Sequence, residues 1–149
     1  MAGVSGGEKL QKVLAEIGKK LGDGKILRAG FLETAKYPDG TPVAQVALWN
    51  DAGTETSPPR AFFRQTIAEH GKSWGNALGD NLKASGMDGD KALALTGEGI
   101  KDNIVSSIVT FSDPQNAPRT IAKKGFNKPL VDSGVMQRSV DYDIKDGLE

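Results

Sequence analysis

Few residues of this chain have the type and spacing to act in catalysis or metal binding, and they are scattered along the sequence. Its one histidine, His70, has no cysteine and no second histidine at metal-ligand spacing, so a structural or surface role is the simpler interpretation. The acids Asp51 and Glu55 flank Gly53 in a polar stretch, where two carboxylates could transfer protons or bind a cation. The alternative is a soluble loop turned by side-chain hydrogen bonds.

Patterns that would identify an enzyme or a nucleotide-binding protein are missing from the sequence. No serine lies in a Gly-x-Ser-x-Gly elbow, and no glycine cluster matches a phosphate-binding loop. The residues therefore predict a protein that is not an enzyme, with no catalytic residues, no metal site, no cofactor and no small-molecule substrate.

A short basic cluster is the one pattern that indicates nucleic acid. It consists of Arg119, Lys123, Lys124 and Lys128, with Phe126 among them. Basic residues interleaved with an aromatic ring can bind single strands. Over the whole chain, however, 19 basic and 19 acidic residues cancel, so the overall field does not attract DNA. A small nucleic-acid-binding module using this cluster stays as the alternative function.

The bulk composition bounds the class of protein. A chain of 149 residues is long enough for one domain with a modest core, so we expect a single domain over 1–149. No apolar run reaches the length of about 18 residues that a membrane helix needs, and there is no signal-peptide core. We expect a soluble, unsecreted protein, with residues 1–6 disordered.

The spacing of apolar residues predicts the helices and strands that carry these residues. From Glu8 to Leu21 the spacing of three and four predicts a helix. Lys25 to Glu33 is typical of a strand, Tyr37 to Pro42 of a turn, and Val43 to Trp49 of a second strand apolar on both faces. Strand, turn and strand together predict an antiparallel hairpin.

The second half of the chain alternates helix and irregular structure. Two long helices are predicted, one after Pro59 to about Ala84 and one from Lys91 to about Phe111. Residues 112–138 are predicted to be irregular, with helical turns at Pro118–Lys124 and at Val135–Met136. Ser139 to Ile144 alternates and predicts a last strand. The class is α+β: a small antiparallel sheet of three to four strands packed against two long helices plus the N-terminal helix.

Two stretches resemble one known family. In Val43 to Ile67 the chain runs through Asn–acidic–x–Gly–Thr, then prolines, then Arg-x-Phe-Phe-Arg. In Ala117 to Tyr142 it runs through Pro-x-Thr, Lys-Gly and Lys-Pro-Leu-Val-Asp-Ser-Gly. In motifs and in their order this resembles the tail-completion and neck proteins of tailed bacteriophages, which act in head–tail joining and virion morphogenesis. The stretches cover about a third of the chain.

The resemblance implies a structural virion protein made in the bacterial host cytoplasm. Such a protein acts at the head–tail junction or at the top of the tail tube, as a homo-oligomeric ring. Its partners are itself and neighbouring virion proteins, either the head–tail connector or tail-tube and terminator proteins. DNA is at most passed through without its sequence being read, and no membrane is involved.

The predicted interface lies in the polar loop and at the start of the following helix. Its residues are Asn50, Asp51, Gly53, Thr54, Glu55, Arg60 and Arg64. Arg60 and Arg64 are four apart, so they are expected to share one helical face. Arginine pairs well with carboxylates, which predicts contacts to Asp51 or Glu55 of a neighbouring subunit. The alternative is a pair within the chain or a solvated side chain.

Overall fold

The computed structural model describes residues 7–21 and 24–147, which form six helices and two strands. In chain order these are α1 (Gly7–Leu21), β1 (Lys25–Phe31), α2 (Val43–Ala52), α3 (Phe62–Ala84), α4 (Gly89–Thr110), α5 (Pro118–Lys124), α6 (Val135–Arg138) and β2 (Val140–Asp146). None of the described helices has the length and apolar character needed to cross a membrane. The expected disorder of residues 1–6 lies outside the described residues.

The core forms where the antiparallel pair α3 and α4 meets α2 and the sheet. Phe62, Ile104 and Ile108 are fully buried there, together with Val43 and Val140. The apolar positions of α4 recur every three or four residues, which gives the helix a continuous buried stripe. Both long helices were predicted from this spacing, and both predictions are confirmed.

The sheet consists of β1 and β2, paired antiparallel from Lys25 opposite Asp146 to Phe31 opposite Val140. One face packs on α4. Gly97 of α4 lies so close to the Tyr142 ring that an added Cβ would come within 2.6 Å of it, so a residue with a side chain would force the helix and sheet apart. The α+β class is confirmed, but the prediction of three to four strands is wrong, because the described chain forms two.

The stretch predicted as the second strand, Val43 to Trp49, lies in helix α2 instead. The predicted hairpin is therefore also wrong. Val43 and Ala47, four residues apart, are buried, whereas Trp49 is 46% exposed. A central strand would bury both of its faces, and only a helix separates these residues in this way. The turn before it is real: Asp39 Oδ1 accepts from the backbone N–H of Thr41 at 2.9 Å. It leads directly into α2, whose N-cap residue is Pro42, and the Pro42 carbonyl accepts from the backbone N–H of Gln45 at 3.2 Å.

The N-terminal helix α1 confirms the predicted helix, but it is hardly packed. None of its residues is buried, and Leu10, Val13 and Leu14 of its apolar stripe are exposed. Its C-terminal end meets the start of α4, where a Cβ on Gly89 would lie 2.7 Å from the carbonyl oxygen of Leu21. The helix is thus anchored at one end, where Ile17 and Leu21 are half-buried, and the rest of its apolar stripe faces solvent in the described chain.

The segment predicted to be irregular, 112–138, contains both predicted helical turns. Helix α5 begins at Pro118, whose missing N–H costs nothing at the first helical position, and it ends at Gly125 with φ 80°. The four-residue α6 follows Gly134 and buries Met136 in the core. The segment is therefore tied to the body at Leu130 and Met136, both of which are buried.

Candidate functional site

The corner between α2 and α3 holds most of the predicted interface residues, and Asp51 is its centre. Asp51 is buried near the end of α2. Its Oδ1 accepts from the backbone N–H of Phe63 at 3.0 Å and of Arg64 at 3.2 Å. These are the second and third residues of α3, whose own N-cap residue, Ala61, supplies no side-chain bond. Asp51 therefore caps α3 from 12 residues away, and its negative charge suits the positive helix end.

Arg64 completes this cap from the outside. Its Nε donates to Asp51 Oδ2 at 2.6 Å, and its Nη2 donates to the backbone carbonyl of Asp51 at 2.7 Å. The Arg64 side chain remains largely exposed, whereas that of Asp51 is not. Of the two alternatives for Arg64, the structure contains the pair within the chain, so this carboxylate is already occupied before any neighbour arrives.

Asn50 and Gly53 fix the path of the chain between the two helices. The Asn50 carbonyl accepts from the Arg60 N–H at 2.6 Å, and the Asn50 side chain donates to Val46 O at 2.9 Å. Gly53 ends α2 with φ 80°, and a Cβ there would lie 2.8 Å from Pro59 N. Asn50 and Gly53 are therefore needed for the turn itself.

Arg60 points away from Arg64, so the expected shared face is wrong. Arg60 precedes the helix, which begins at Phe62, and it is therefore not in helical register with Arg64. Its buried guanidinium donates to Pro114 O and Gln115 O, both at 3.3 Å. Burial lowers the pKa of Arg60 from its ordinary value. The residue holds the 114–115 backbone against the corner, where it is not available to a neighbour's carboxylate.

Thr54 and Glu55 are predicted interface residues with exposed side chains that lie outside the hydrogen bonds of the corner. They lie in a tight turn in which Thr54 N donates to Ser57 O at 2.9 Å. Their side chains are exposed, so contact with another protein here stays a prediction.

The basic cluster is exposed at Arg119, Lys123 and Lys128 on and after α5. Lys124 is different: its Nζ donates to Lys128 O at 2.8 Å and lies 5.0 Å from the Phe126 ring centroid. Burial lowers the pKa of Lys124, and nearby Arg60 acts in the same direction, while Asp132 opposes it. Since Lys124 covers one face of Phe126, that face is not open for a base to stack on.

His70 is placed by packing. Its ring stacks on Trp74 with centroids 6.4 Å apart, and Trp74 Nε1 donates to Asn103 Oδ1 at 2.8 Å. Across residues 7–21 and 24–147, no three His, Asp or Glu side chains come close enough together to hold a metal ion.

An apolar groove lies beside the corner, and the sequence did not indicate it. It has a volume of about 200 Å³ and is lined by Phe31, Ala44, Ala47, Leu48, Asp51 and Phe63. Leu48, on its wall, is 62% exposed, and Ile67 is exposed one helical turn beyond Phe63. The signal was present in the spacing of Ala44 and Leu48, four apart, but it is visible only once this stretch is taken as a helix.

Comparison with protein-family models, with curated proteins and with solved structures gives no match.

A second, wider cleft opens on the other side of α2, with a volume of about 400 Å³. Tyr37, Trp49 and Asn50 line it together with the carboxylates of Asp39 and Asp132. Burial raises the pKa of Tyr37, with Asp132 and Asp39 adding to the shift, and a backbone hydrogen bond from Thr41 lowers that of Asp39. This cleft has the rings and negative charge that suit a cationic group, while the groove is apolar.

Proposed function

We propose that the protein is a structural component of a tailed-bacteriophage virion. It acts at the head–tail junction or at the top of the tail tube, in tail completion or head–tail joining. It works through protein–protein assembly, as a ring of identical subunits that contacts connector, tail-tube or terminator proteins. It is not an enzyme, and DNA passes it without being read.

The observation that carries this proposal is the ordered pair of motifs in Val43 to Ile67 and Ala117 to Tyr142. The geometry gives the first motif a physical reason. Its Asn, acidic, Gly and Arg positions are Asn50, Asp51, Gly53 and Arg64, and together they build one corner. A structural protein that docks onto its neighbours in one fixed orientation would need such a rigid corner.

Exposed apolar surface supports an assembly role. Leu10 and Leu14 are exposed one turn apart on α1, and Leu48 and Ile67 are exposed at or beside the groove. Large exposed apolar residues that cluster on a surface are typical of sites where other proteins bind.

The test of this function is deletion of the gene from the phage, followed by negative-stain microscopy of the particles. We expect tailless heads and free tails, restored to whole virions by the gene supplied in trans. Normal virions from the deletion strain would refute the proposal. A purified monomer whose DNA affinity falls steeply with salt would instead favour the nucleic-acid module built on Arg119, Lys123 and Lys128.

A further inference from the structure

Two apolar surfaces of this chain are accessible in the described residues. One is the stripe of α1, formed by Leu10, Val13, Leu14, Ile17 and Leu21. The other is the groove between β1, α2 and α3. We propose that α1 of one copy packs into the groove of a second copy, with Leu14 at the centre of the contact. This inference rests on the proposed ring and specifies which surfaces form it.

The groove has the size and chemistry for aliphatic side chains. Its volume of about 200 Å³ exceeds the ~150 Å³ of an apolar cavity that accepts benzene. Phe31 and Phe63 line it with aromatic rings, and Ala44 lines it with a small side chain, so that a larger residue at this position would fill part of the space. One or two leucine side chains of α1 would occupy this space.

A single copy does not bring its own α1 to its groove. The helix leaves the body beside the start of β1, where Lys25 Nζ lies 2.8 Å from Asp90 of α4. Phe31, at the groove, is at the other end of β1, and the groove lining consists of residues from β1, α2 and α3 without any described residue of α1. Leu14 is 57% exposed and Leu10 and Val13 are exposed as well, so the described chain leaves this part of the stripe uncovered.

Charge favours the same pairing. Helix α1 carries four lysines and two glutamates, a net charge of +2. The stretch from Val43 to Pro59, which contains α2 and the turn after it, has Asp51 and Glu55 and no lysine or arginine. Arg64 neutralises Asp51, which leaves Glu55 exposed there, and Glu33 is exposed next to Phe31. Lys9 and Lys20, at one edge of the apolar stripe, would face these acids.

A contact of this kind is heterologous, because it joins different surfaces of the two copies. Each copy offers one helix and one groove, so every addition leaves another helix and another groove free. The series ends when the rotation between copies closes a ring. The proposed contact therefore supplies the geometry that a ring requires.

The test uses disulfide trapping in the full chain, which has no cysteine of its own. We expect Leu14→Cys with Ala44→Cys to give dimers and higher multiples on a non-reducing gel after mild oxidation. The matched control, Lys12→Cys with Ala44→Cys, places the thiol on the opposite face of α1 and should stay monomeric. Mixing the single variants Leu14→Cys and Ala44→Cys should stop at dimers, since each copy then has one thiol.

A non-covalent experiment checks the same contact by light scattering. Leu14→Glu places a charge on the apolar stripe of α1, and Ala44→Arg fills the groove with a charged side chain. Each substitution should lower the self-association constant about tenfold or more. Mixed together, the two variants should form one-to-one dimers and nothing larger, because one intact helix meets one intact groove. Lys12→Glu, on the far face of α1, is the control and should leave assembly unchanged.

Three outcomes would overturn the contact: no trapped multiples at the highest soluble concentration, a disulfide within one chain, or unchanged assembly of Leu14→Glu. The gene deletion separates this failure from failure of the function. If deletion gives tailless heads while trapping fails, the virion role stands and this contact is wrong. If deletion gives normal virions, the function is wrong whatever trapping shows.

Discussion

The α2–α3 corner and the helix α1 are built in opposite ways. In the corner, Asp51, Arg60 and Arg64 have their hydrogen-bonding groups engaged by the chain itself. In α1, an apolar stripe faces solvent and the helix is anchored at its C-terminal end. The polar residues predicted to form a binding site thus maintain the fold, while the described chain leaves apolar residues of the amphipathic helix exposed.

Residue type alone therefore does not identify an interface. A charged group contributes to binding only if the folded chain leaves it unpaired, and Arg64 and Asp51 are paired before a neighbour arrives. An apolar stripe normally indicates a helix packed on its own core. In α1 the described chain leaves much of the stripe exposed, and we propose a second copy as its partner.

The largest expected effect is the loss of the remote cap in the corner. Asp51→Ala leaves two N–H groups of α3 without their acceptor and Arg64 without its carboxylate. We expect it to lower the free energy of unfolding by about 2–3 kcal/mol. Urea unfolding with an unchanged slope measures this loss. Glu55→Ala, the same change of charge on the exposed turn, is the control and should stay within about 0.5 kcal/mol.

A second prediction compares one substitution at two glycines. Gly53→Ala should cost about 2 kcal/mol, because φ is 80° and the new Cβ would meet Pro59. Gly75→Ala, in the middle of α3 with open space around it, should instead stabilise by about 0.8 kcal/mol. Thermal unfolding of both variants checks the signs. Equal shifts would mean that the corner is not constrained in the way described.

A third prediction concerns α1, where we expect almost no change in the free energy of unfolding. Leu14→Ala should change the free energy of unfolding by less than about 0.5 kcal/mol, because the side chain is exposed within one copy. The measurement needs dilute protein, since association would add stability. Leu130→Ala, the same change at a buried site, is the control and should cost about 2–5 kcal/mol. A comparable loss at Leu14 would mean that α1 packs on its own body.

The last prediction concerns an exposed counterpart of the Asp51–Arg64 pair. Arg28 Nε donates to Asp143 Oδ1 at 2.9 Å across the sheet, and this hydrogen bond lowers the pKa of Asp143 below its ordinary value. A lowered carboxyl pKa stabilises the fold above the unfolded-state pKa and loses that contribution as the pH falls through the folded-state pKa. Asp143→Asn should therefore be slightly less stable than the parent near neutral pH, and the difference should shrink below about pH 4. A constant difference at all pH values would contradict this.

Long, regularly spaced elements could be predicted from the sequence. Helices α1, α3 and α4 each repeat their apolar residues every three or four positions, and the strands β1 and β2 alternate. The error at Val43–Ala52 has a physical cause. Its run of Val, Ala, Leu and Trp fits a two-sided strand and a short helix equally well, so the choice depends on partners that only the folded chain supplies.

The sequence predicted where the candidate site lies along the chain, but it did not predict which of its residues hydrogen-bond to one another. Asn50, Asp51, Gly53, Arg60 and Arg64 do meet at one corner, as their clustering indicated. Which acid binds which arginine depends on where α3 begins, because a start at Phe62 puts Arg60 outside the helix. Helix boundaries are the least certain part of sequence-based assignment, and here a shift of two residues reverses a side chain's direction.

The pairing of β1 with β2 has a consequence for how the chain folds. The sheet joins two segments that are far apart in sequence, with Arg28 and Asp143 separated by 115 residues. Such a long closure carries a high entropic cost, whereas α3 and α4 are neighbours and can associate early. We expect the sheet to close after the rate-limiting step, so that a weakened strand pair accelerates unfolding and leaves the folding rate nearly unchanged. On the ribosome the helical pair would then form first, and the fold would be completed only after β2 has emerged.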